Sequence, residues 1–192
     1  MADTFIPYPE AQDDDTVYSW SAEELAEIER HKAKYPEQQS AVMPLLWMAQ
    51  EKWGWLPQGA MQLVADSLDM SFADVYGVAT FYTMYLKENK AKHLVEVCTC
   101  FTCGVTSGPE VFEKLKAKFN ADEHGVSQDG QFYFREAECL GACDSAPVAQ
   151  LDNRRLVFNA SVEKMVAALA YLSRGEAYPL ESVPLANQQL PG

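Results

Sequence analysis

The first 97 residues contain no cysteine, and all five cysteines of the 192-residue chain fall between Cys98 and Cys143. Thiol or metal chemistry is therefore confined to the second half. Long apolar runs are also missing: an uncharged stretch such as Gln38 to Gln50 is broken by Pro44 and polar residues, far from the ~20 apolar residues that span a bilayer. No basic residue precedes Arg30, so the segment MADTFIPYPEAQDDD lacks both the positive start of a secretory signal and the arginines of a transit peptide. A cytoplasmic location with no direct membrane insertion is expected. In such a reducing compartment, five cysteines point to metal or redox chemistry rather than to a disulfide framework.

Basic residues are scarce, with 15 Lys and Arg against 28 Asp and Glu, a net charge of −13 at pH 7. That balance disfavours nucleic acid and anionic membranes, and leaves proteins as the expected partners. Neither G-x-G-x-x-G nor G-x-x-x-x-G-K-[ST] occurs, so nucleotides and flavins are expected to bind elsewhere. What the chain does have is apolar residues, 48% of the total, enough for an ordinary core or two small ones.

Residues 1–20 carry five acidic and no basic residues and read as an extended arm. Ser21-Ala-Glu-Glu24 has the spacing of a capping box, which predicts a helix over 22–35 with Leu25 and Ile28 on one face. A second helix follows through Val42, Leu45, Leu46, Ala49 and Trp53, ending at Gly54, and a third starts near Pro57. Ser71 caps a fourth, SFADVYGVATFYTMYL, with Val75, Val78, Phe81, Tyr82 and Tyr85 on an apolar face expected to pack inward. The tryptophans Trp47, Trp53 and Trp55 read as packing anchors. Residues 21–89 thus form a small helical bundle.

Beyond Lys90 the periodicity changes. LVEV is a buried strand, Ser107-Gly-Pro-Glu110 opens a helix, QFYFREA alternates as a strand, PVAQLDN and RLVFN flank a turn, and Ser161 caps a last helix. The order β-α-β-β-β-α over 90–175 suits a thioredoxin-like α/β layer and equally other α+β sandwiches. Residues 176–192, with three prolines, form an extended tail.

Cys98 and Cys103 are separated by four residues, Cys139 and Cys143 by three, and 35 residues lie between the pairs. Each pair falls where the chain turns after a strand, so four thiolates can converge on one site. A [2Fe–2S] cluster uses such a set, with Gly104 and Gly141 easing close backbone approach. A structural Cys₄ zinc site in an interaction module uses it too. Cys100-Phe-Thr-Cys103 is also a C-x-x-C before a helix, the setting of a redox dithiol, although that leaves Cys139 and Cys143 unexplained. His31, His93 and His124 share no spacing and read as surface residues, which disfavours a Rieske centre.

The segments VCTCFTC and ECLGACDSAPV, together with GWLP and VYGVATFYTMY upstream, resemble the NuoE family, the small [2Fe–2S] subunit of respiratory NADH:quinone oxidoreductase (complex I). The resemblance covers about 21–175. It implies an α+β chain in which a helical bundle precedes a thioredoxin-like ferredoxin domain, with Cys98, Cys103, Cys139 and Cys143 as ligands of one cluster. It also implies a flavin subunit as partner, which holds FMN and oxidises NADH, a second iron–sulfur-rich subunit nearby, and a position peripheral to the inner membrane. No catalytic residue is implied on this chain, which would relay single electrons. NAD-linked formate dehydrogenases and bidirectional hydrogenases use similar subunits. Cys100 departs from the family, where a residue without a thiol is usual.

Overall fold

The computed structural model describes residues 16–179. The acidic arm, up to residue 15, and the tail beyond 179 lie outside the described residues. The chain divides into two compact units that meet in sequence between Asn89 and Lys90.

Among its described residues the first unit holds four α-helices. In α1 (Ala22–Lys32) the capping box forms in both directions, with Glu24 N–H donating to Ser21 Oγ at 3.2 Å and Ser21 N–H to Glu24 Oε2 at 2.6 Å. Ile28 is buried, whereas Leu25 is 50% exposed and faces solvent rather than the expected core. A short 3-10 turn over Gln38–Ala41 leads into α2 (Val42–Trp53), where Pro44 sits in the first turn and Gly54 ends the helix at φ +80°. α3 (Gln58–Leu68) starts after Pro57, its N-cap, and stops at left-handed Asp69. Leu45, Leu46, Met61, Val64, Leu68 and Val75 meet in one apolar core.

The fourth helix is shorter than its periodicity suggests: α4 (Phe72–Phe81) stops at Phe81, and Tyr82 is extended. Tertiary bonds end it. Tyr85 turns back into the core and its hydroxyl donates to Met43 O at 2.9 Å. Buried Gln50 donates to Met84 O at 2.9 Å and accepts from Leu86 N–H at 2.6 Å, while Leu56 N–H donates to Leu86 O at 2.7 Å. Continuing the helix would withdraw these partners from buried Gln50 and Tyr85. Phe81 and Tyr82, both expected inside, are 77% and 38% exposed.

The second unit carries a four-stranded sheet. Its elements are β1 (His93–Cys98), α5 (Phe101–Thr106), α6 (Gly108–Lys118), β2 (Phe132–Ala137), β3 (Ala149–Leu151), β4 (Arg155–Val157) and α7 (Val162–Ser173). The strand order is β2-β1-β3-β4; β1 and β2 are parallel across the α6 connection, and the other neighbours are antiparallel. Val95, Val97, Phe132, Phe134, Ala149, Leu151 and Val157 pack with Val111, Leu115, Met165 and Leu169 of α6 and α7 in one core. This is the β-α-β-β-β-α order of a thioredoxin-like layer, extended by the short helix α5 that periodicity did not show.

Candidate metal centre

The four cysteines singled out in the sequence lie where two connections leave neighbouring parallel strands. Cys98 is the last residue of β1 and Cys139 stands two residues beyond the end of β2. Because the register pairs Cys98 with Ala137, both connections start at the same end of the sheet. Backbone bonds hold them there: Cys98 N–H donates to Val148 O at 2.9 Å and Thr99 N–H to Ala137 O at 3.0 Å.

Cys100 is the residue preceding α5, and one turn of that helix carries Cys103 inward, so that Cys98 and Cys103 are each 2% exposed. These thiols pack with Val148 and Phe158 in a small cluster apart from the main core, flanked by Leu140, Ala142, Ala146 and Leu156. Cys139 and Cys143 are exposed; Gly141 N–H donates to Cys139 Sγ at 3.4 Å, and Cys143 opens a 3-10 turn through Ser145. Half the set is thus embedded and half faces outward. The exposed Phe101 and Val105 stand on the outer side of α5.

Cys103 and Cys143 are shifted by the thiols around them. Burial, then the hydrogen bond and charge of Cys98 and the charge of Cys143, push Cys103 up from 9.0 to about 11, against a lowering backbone hydrogen bond at Val148. Cys143 is likewise raised, mostly by Cys139, with a smaller effect from Cys100 and an opposing hydrogen bond from Thr102. Influences that cross between the pairs show that both loops share one neighbourhood. Thiolates crowded in this way need a cation to take the place of their protons, and four of them suit the positively charged core of a [2Fe–2S] cluster. Among the described residues no three His, Cys, Asp or Glu side chains gather closely enough to hold a single metal ion. A dinuclear cluster asks for two thiolates at each iron.

The histidines stand apart. His31 lies on α1 beside Glu27, and His124 is exposed in a loop. His93 is not the surface residue expected: it starts β1, at the opposite end from Cys98, and pairs through Nδ1 with Asp152 at 2.9 Å.

Beside Gly104, where a Cβ would stand 3.2 Å from Thr99 O, sequence reasoning missed a tighter glycine in the cysteine loop. A Cβ on Gly108 would collide with Cys98 O and stand 2.9 Å from Cys103 O, so the start of α6 requires glycine for the cysteine loop to close. Gly141 instead has open space and is needed for its φ of +74°. Sequence reasoning also passed over Glu96, buried against Arg135; the lone charge in LVEVC was its signal.

A family model for thioredoxin-like [2Fe–2S] ferredoxins matches residues 28–173. The E subunit of NADH-quinone oxidoreductase from Rickettsia bellii (strain RML369-C) is 37% identical over 141 residues, covering 72% of this chain and 84% of that protein. The protein of the same name from Mycobacterium tuberculosis (strain ATCC 25618 / H37Rv) is 35% identical over 119 residues, covering 62% of this chain and 47% of the relative. Among solved structures, the air-oxidised crystal structure of an NAD+-reducing [NiFe]-hydrogenase superposes with a TM-score of 0.58 at 15% identity. The match covers 72% of this chain and only 26% of the hydrogenase chain, and at that identity it speaks for the fold alone.

Proposed function

This chain belongs to the thioredoxin-like [2Fe–2S] ferredoxins of the NuoE family, and from that premise we propose that Cys98, Cys103, Cys139 and Cys143 bind one [2Fe–2S] cluster. In this reading the protein is the small electron-transfer subunit of NADH:quinone oxidoreductase. The cluster supplies exchange of single electrons with the FMN of a partner that oxidises NADH. The observation that carries the reading is the convergence of two thiol pairs at one end of the sheet, with Cys143 of one pair raising Cys103 of the other.

The chain's own residues divide the work. Cys98 and Cys103 fix the centre to the strand and to α5, behind Val148 and Phe158. Cys139 and Cys143 hold it from the exposed loop and leave that side open to a redox partner. Gly141 N–H, already directed at Cys139 Sγ, is a donor of the kind that stabilises a thiolate. Nothing in the second unit is assigned to NADH or quinone. Among the described residues no helix is long and apolar enough to cross a membrane. In this reading the subunit is held by the complex at the cytoplasmic side of the inner membrane.

Protein purified without oxygen is expected to hold about two irons and two labile sulfides per chain and to give a rhombic paramagnetic signal once reduced. Stoichiometric zinc without sulfide would end the proposal and leave a zinc-stabilised module. Cys100→Ser is expected to keep the wild-type spectrum; its loss would move a ligand from Cys98 to Cys100. Copurification decides the host, since a flavin subunit that brings quinone-reducing partners marks complex I, and one that brings a hydrogenase or formate dehydrogenase marks the alternative.

A further inference from the structure

The strand that ends in Cys98 carries a buried charge on the same side as that thiol. Along β1, Val95 and Val97 face the main core, so alternation places Leu94, Glu96 and Cys98 on the opposite face. Glu96 is 6% exposed and is the buried carboxylate among the described residues. Arg135, its register partner on β2, donates to Glu96 Oε1 from Nη2 at 2.6 Å and from Nε at 3.2 Å. Gln150 faces Glu96 from β3. Two residues of strand span about 6.5 Å, so the pair is anchored within that distance of the Cys98 backbone.

An apolar pair would fill such a position at no loss of stability, because a buried ion pair barely recovers its desolvation. The placement has a second effect. A centre that accepts one electron gains a unit of negative charge with no bond made or broken, and its potential follows the fixed charges around it. Glu136, Glu138 and Asp144, close by in sequence, are exposed and screened by water; a buried carboxylate is screened far less.

We propose that the Glu96–Arg135 pair is a positioning device for the reduction potential of the centre held by Cys98: Arg135 cancels the one carboxylate that would otherwise oppose the incoming electron. This rests on the cluster reading of the four cysteines and adds a role for residues outside them.

The test uses the full chain with its cluster, poised with dithionite and mediators, and reads the midpoint potential from the reduced paramagnetic signal. Glu96→Gln removes the buried negative charge beside the arginine and is expected to move the midpoint to more positive values. Arg135→Lys keeps the charge and is expected to stay at the wild-type value. The double variant Glu96→Gln, Arg135→Gln removes both charges and is expected to return towards wild type. Iron and sulfide content and the melting temperature are measured on the same samples. A Glu96→Gln protein that melts earlier with an unmoved or lowered midpoint overturns the proposal and leaves the pair a structural contact. An Arg135→Lys shift as large as that of Glu96→Gln overturns it too, because packing rather than charge would then be responsible. Wild-type protein without iron and sulfide removes the cluster reading itself, and this proposal with it.

Discussion

Between Ala22 and Tyr85 the chain buries Leu45, Leu46, Met61, Val64 and their neighbours, and its one buried polar side chain there, Gln50, is bonded to backbone at both ends. Between His93 and Ser173 it buries an apolar core too, but beside it Glu96 and two thiols, Cys98 and Cys103, with burial and then Cys98 holding the proton on Cys103. The two units therefore draw their stability from different sources. The helical unit is held by removal of apolar surface from water, a term that needs no ligand. The sheet unit contains a place where burial works against charge, and there the proposed cluster would add to stability by replacing the thiol protons.

The strongest test of that contrast removes a thiol from the outer pair. Cys139→Ser is expected to abolish iron and sulfide binding and to lower the unfolding midpoint of the sheet unit, as judged by iron assay and denaturant unfolding. An unchanged midpoint with full iron content would contradict the contrast at its root. Leu46→Ala, in the helical core, is expected to cost about 2–5 kcal/mol by the same unfolding measurement while leaving iron content at the wild-type value. Iron loss in that variant would show that the units are not separable in this way.

A third test concerns pH. Cys103 in the cluster-free chain keeps its proton to about 11 against an ordinary 9.0. Its unfolded form loses the proton first, so folding stability is intact below about 9 and declines as pH rises towards about 11. Cluster-free Cys103→Ser is expected to show a shallower decline in denaturant midpoint over that interval, and an identical slope would assign the decline to other groups. The smallest effect comes from helix caps, which the two units share. Ser21→Ala and Ser161→Ala each remove a hydroxyl that accepts a backbone N–H at 3.2 Å, and each is expected to cost about 1 kcal/mol with no effect on iron.

Much of the fold was legible because it is local. Capping serines at 21, 71 and 161, the stop at Gly54 and the strand alternation of QFYFREA each depend on a few neighbouring residues, and each appears in the structure. The helix ending at Phe81 was not legible, since the groups that end it belong to α2 and to the turn before α3. Nor was α5, whose six residues are too few for a periodicity to show.

For the candidate site, the donor set could be read along the chain: two pairs of cysteines at turn positions, with no competing histidine spacing. Zinc, a dithiol and an iron–sulfur cluster all suit cysteines so spaced, and only the resemblance of whole segments separates them. Folding in three dimensions added that Cys98 and Cys103 are embedded while Cys139 and Cys143 are exposed, that Gly108 is pressed against the Cys98 carbonyl, and that Glu96 meets Arg135. Spacing along a chain fixes which donors can reach one another. Burial and charge pairing depend on strand register, which joins residues 39 positions apart and has no local trace.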